Sequence, residues 1–108
     1  MRGRYRLPPG PMPSTPAAIA EAESIVDYVA AGLSEDVATK EQIEALTRAI
    51  ADLPAIQRQV VMLAYGESLP LDDIAWVLDL AGGIEASDLL DQAIARCRLA
   101  LSAAEPRR

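Results

Sequence analysis

The sequence predicts an all-α domain, a bundle of four helices with one extra helix in front of them. Three observations predict it. Apolar residues recur at spacings of three and four in successive stretches, the period of a helix face. Alanine, leucine and glutamate dominate while phenylalanine is absent, so helix formers outweigh strand formers. Proline, glycine and threonine stand at the borders of those stretches, where helices start and stop. At 51% hydrophobic residues the chain has enough apolar material to fold, and its 108 residues suffice for one domain with a modest core.

Residues 1–15 read as a flexible leader rich in arginine and proline. Pro8, Pro9, Pro11 and Pro13 deny it regular hydrogen bonding. Residues 16–38 read as an N-terminal helix and linker. Thr15 is placed to cap it, Pro16 to open its first turn and Gly32 to end it. Ile19, Ala22, Val26, Val29 and Leu33 share its apolar face with Ile25 beside them, and Glu21, Glu23 and Asp27 face water.

Residues 39–104 read as the four-helix domain. Thr39 followed by Gln42 is a capping box, and Ile43, Leu46, Ile50 and Leu53 give the stripe behind it. Pro54 breaks that helix and starts the next, whose face carries Ile56, Val60 and Leu63, widened by Val61 and Ala64. Gly66 interrupts the period. Ser68–Leu69–Pro70 restarts it, with Asp72 and Asp73 in a first turn where the dipole favours anions. Ile74, Val77 and Leu78 form the new apolar face. Two short helices joined this abruptly read as the first half of a helix-turn-helix. A glycine-rich turn at Gly82–Gly83 leads into a last helix from about Ile84 to Ala103. Its inner face is expected to hold Ala86, Leu90, Ala93, Ile94, Cys97 and Leu101, and its outer face Glu85, Asp88, Asp91, Gln92, Arg96 and Arg98.

The charge is unevenly spread. The net value of -6 hides five arginines at the two ends, Arg2, Arg4, Arg6, Arg107 and Arg108. Residues 7–106 keep five basic and sixteen acidic side chains, a formal charge of -11. Such a body repels phosphate. One cysteine and no histidine exclude disulfide frameworks, zinc clusters and histidine-based catalysis, so no metal and no cofactor is expected. No nucleophile, base and orienting partner occur together, so the chain is not expected to be an enzyme. With no apolar run long enough for a membrane span and no secretory signal, a cytoplasmic location is expected.

The run Leu53–Pro54, Gln57–Arg58, Val60, Leu63, Tyr65, Glu67, Leu69, Asp72–Asp73–Ile74–Ala75 and Leu78 resembles region 4 of the sigma-70 family of bacterial RNA polymerase initiation factors, above all its short extracytoplasmic-function members. The resemblance extends from about Thr39 to Leu101. It implies a helix-turn-helix whose last helix enters the major groove of a promoter element. There Glu85, Ser87, Asp88, Asp91, Gln92 and Arg96 would face DNA. It also implies an apolar partner groove for the polymerase flap or an anti-sigma factor, here lined by Ile43, Leu46, Ile50, Val60 and Val61, with Trp76 as a further contact. Trp76 alone reads either as a packing residue or as an exposed anchor.

This sequence departs from that family at the reading end. Where the family carries Thr, Lys or Arg, this chain has Glu85–Ala86–Ser87–Asp88, then Asp91. A groove-docked helix gains most of its affinity by neutralising phosphates, and these side chains do the opposite. The expectation is a transcription regulator that works in initiation mainly through protein contacts, as a sigma mimic. The alternatives are a promoter-reading DNA-binding protein and a non-transcriptional helical interaction module.

Overall fold

A computed structural model describes residues 15–33 and 37–104, and all the regular structure in it is helical. Residues 1–14 of the leader, residues 34–36 of the linker and residues 105–108 lie outside the described residues. Helix α1 spans Pro16–Leu33, α2 Lys40–Ala51, α3 Ala55–Val61, α4 Leu71–Val77 and α5 Gly83–Ala103. Helix α3 runs on into a wider π-type turn, Met62–Gly66. Helix α5 packs against α2, α3 and α4, while α1 lies on α2 and on the π turn.

The starts follow the sequence closely. Thr15 Oγ1 accepts a hydrogen bond from Ala18 N at 3.0 Å, ahead of Pro16. The capping box of α2 is complete: Gln42 N donates to Thr39 Oγ1 at 3.1 Å and Thr39 N to Gln42 Oε1 at 2.9 Å. Asp72 and Asp73 occupy the first turn of α4.

Two apolar clusters build the core. One joins Ala18, Ala22, Ile25, Val26, Val29 and Ala30 of α1 to Leu46, Ile50, Val61, Ala93, Cys97 and Leu101. The other joins Val60, Ile74, Ala75 and Ala86, with Leu63, Leu69, Leu71 and Leu78 around them. Leu90 packs against both. Helix α1 therefore shares its core with the helices that follow.

Several faces are rotated from their expected setting. In α1 Ala22, Val26 and Val29 point inward as expected, but Ala18 and Ala30 join them and Ile19 turns outward. Glu21 does not simply face water; it pairs with Arg58. In α3 Ile56 is exposed and Gln57 takes its place inside. In α4 Val77 is exposed.

The glycines also have other roles than expected. Gly32 lies in the last turn of α1, one residue before its last, Leu33. A Cβ there would meet Tyr65 Cε1 at 2.9 Å, so its lack of a side chain lets the Tyr65 ring of the π turn pack against α1. In the turn before α5 the left-handed residue is Asp79, at φ 58°, and neither glycine. Gly83 instead makes room for the Asp72 carboxylate. Ser68, at φ 57°, reverses the chain after the π turn, where a small polar side chain tolerates that conformation.

Candidate functional site

Helix α5 carries the candidate surface. Glu85, Asp88, Asp91, Gln92 and Arg96 are all exposed, and Ser87 is half-buried. The acidic side chains thus form the outside of the helix start, with Arg96 and Arg98 more than a turn further along. The inward positions, Ala86, Ala93, Cys97 and Leu101, are buried as their spacing requires, and Leu90 and Ile94 are half-buried.

Two of the six residues expected to face DNA already have work within the fold. Ala81 N donates to Glu85 Oε1 at 2.7 Å, so this carboxylate caps the turn that precedes its own helix. Gln57 Nε2 donates to Gln92 Oε1 at 2.9 Å, tying α3 to α5. Gln57 is 7% exposed, and its Oε1 makes no hydrogen bond. Asp88, Asp91 and Arg96 are exposed, and among the described residues their side chains make no such contact.

The expected partner groove is closed. Leu46, Ile50, Val60 and Val61 are fully buried, and only Ile43 among the five aliphatic residues retains some exposure. Helices α1 and α5 share the cluster that buries Leu46, Ile50 and Val61, while α4 and α5 cover Val60. Trp76 is the opposite case. It is 85% exposed, so it does not pack against α5, and Val77 beside it is exposed too.

Arg58 was legible in the motif, yet its role was not. Its Nη1 donates to Leu53 O at 3.0 Å and Ala51 O at 3.4 Å, and its Nε to Glu21 Oε1 at 2.8 Å. It thereby caps the carbonyls at the end of α2, where the dipole favours a cation, and ties them to α1. An arginine four residues after the helix-breaking proline was the signal for this capping.

Burial raises the Cys97 thiol from 9.0 to about 11, so it stays protonated and unreactive at neutral pH. Burial, then the nearby Cys97, raises the Tyr65 hydroxyl above its usual range, against a smaller opposite effect of Arg98. Among the described residues no three His, Cys, Asp or Glu side chains gather where they could hold a metal ion. Among them, too, no helix is long and apolar enough to cross a membrane. No protein-family model, no curated protein and no solved structure matches this chain.

Proposed function

We propose that this chain is a transcription regulator built like sigma region 4, acting in initiation through protein contacts, with RNA polymerase or an anti-sigma factor as its partner. The reading rests on the sequence resemblance between Thr39 and Leu101. The single observation that supports protein contacts over base reading is the outer face of α5. Glu85, Asp88 and Asp91 are exposed at the end of the helix that would enter the groove, and no cation stands among them. Each carboxylate there repels phosphate, and a reader of cytosine through Asp or Glu would need flanking cations to hold the backbone.

The partner does not enter the interior lined by Leu46, Ile50, Val60 and Val61. It meets the exposed pair Trp76–Val77 on α4 instead, since an exposed tryptophan supplies the large anchor that interface hot spots use.

The test is a pull-down from bacterial lysate with the full chain, beside Trp76→Ala. Recovery of polymerase subunits or an anti-sigma factor by the native chain, and its loss in the variant, supports the reading. Recovery of neither counts against it. A mobility-shift titration at low salt runs in parallel. The native chain is expected to leave duplex DNA unshifted. Salt-sensitive duplex binding by the native chain would favour the DNA-reading alternative.

A further inference from the structure

We infer that α5 pairs, antiparallel, with the α5 of a second copy of this chain. The outermost stripe of α5 runs through Ile84, Asp88, Asp91, Ala95 and Leu99, all exposed. Two large apolar side chains mark its ends, Ile84 at 80% and Leu99 at 71% exposure. They stand at equal distances from the midpoint between Asp91 and Gln92. The acids, Glu85, Asp88 and Asp91, occupy the first half of the helix, and the bases, Arg96 and Arg98, the second.

An antiparallel two-fold pair about that midpoint joins the two aliphatic ends and sets the charges of Glu85, Asp88 and Arg96 against opposite or neutral partners, while the two Asp91 side chains, next to the axis, face each other. Ile84 then meets Leu99 of the second copy at both ends. Glu85 and Arg96 share one flank of the helix, and at 1.5 Å rise per residue each comes within about 3 Å, along the axis, of its opposite in the second copy. Asp88 faces the small Ala95, which leaves its carboxylate room to reach towards Arg96 or Arg98 of that copy. A parallel pair would set every acid on its own copy and every base likewise, whereas the antiparallel pair does so only at Asp91, so the charges also favour the antiparallel orientation. The helix's own dipole explains acids before bases. It does not explain two bare aliphatic side chains placed symmetrically about the point where the charge changes sign. The interface is isologous, the commonest way for a soluble chain to associate with itself. It is a single helix face, so its buried area lies at the low end, below about 1,200 Å², and the association is weak.

Sedimentation velocity on the full chain, from about 10 µM to about 1 mM, tests the inference. A dimer fraction that rises with concentration and falls in high salt is expected. Leu99→Asp, Arg96→Glu and Glu85→Arg should each weaken dimerisation by about tenfold or more. The charge-swapped double variant Glu85→Arg with Arg96→Glu should recover it. Circular dichroism of each variant checks that α5 remains helical. A chain that stays monomeric to about 1 mM at low salt would overturn the inference. So would a dimer indifferent to Leu99→Asp and Arg96→Glu, or a double variant no better than the singles. This outcome does not depend on the transcription reading, because the assay contains neither polymerase nor DNA.

Discussion

Replacing Arg58 by Met separates the two things this side chain does. It donates to the Leu53 and Ala51 carbonyls and to the Glu21 carboxylate. The Glu21 arm is partly open to water, at 34% side-chain exposure against 17% for Arg58. A pair that open contributes no more than about 1 kcal/mol. The carbonyl arm is a charged donor filling orphan acceptors at a helix end, worth about 1.5–3 kcal/mol. Arg58→Met is therefore expected to cost about 2–3 kcal/mol, or about 10–20 °C in Tm for a domain of this size. Glu21→Gln is expected to cost about 0.5 kcal/mol. Urea denaturation followed by circular dichroism, with the double variant added, measures both and their coupling. If Glu21→Gln costs as much as Arg58→Met, the ion pair and not the carbonyl cap holds α1 and α2 together, and the reasoning fails.

Gly32→Ala tests the Tyr65 contact. An alanine inside an ordinary helix stabilises by about 0.5–1 kcal/mol, yet here its Cβ meets the ring at 2.9 Å. A net loss of about 1–2 kcal/mol in the same denaturation assay is expected. Thr39→Ala removes the hydroxyl half of the capping box and should cost about 1 kcal/mol. Alkaline pH should destabilise the fold. The unfolded thiol ionises near 9.0 while the folded one holds its proton to about 11, so the unfolded state binds fewer protons between those values and stability falls as pH rises through them. The raised Tyr65 hydroxyl acts in the same direction. Thermal melts from pH 8 to 11 should show a shallower decline in Cys97→Ala.

Helix existence and most starts were legible because they depend on local chemistry. Thr15, the Thr39–Gln42 pair and Pro54 act within one turn of where they stand. The outward setting of Glu85, Asp88 and Asp91 was legible too, since α5 is long and its inner positions, Ala86, Ala93, Cys97 and Leu101, recur at helix spacing. Faces on the short helices were less so. Seven residues, as in α3 and α4, make two turns, and tertiary packing chose Gln57 over Ile56 and left Val77 outside. The closure of the expected groove was not readable at all. It depends on α1 and α5 folding back over residues distant in sequence, which no local pattern records. Ile84 and Leu99 were likewise invisible as a matched pair until their exposure was known.

The lid that α1 forms is tethered to what it covers, and that changes the competition for the same place. A rival helix arriving from solution contends with a segment held at an effective concentration in the millimolar range by its own short connection. Shortening the polypeptide to begin at α2 would remove that advantage and strip the oily floor of Leu46, Ile50 and Val61 at the same time. Such a trimmed version would be prone to clump, and gene fragments meant for expression should therefore keep everything from Thr15 onward.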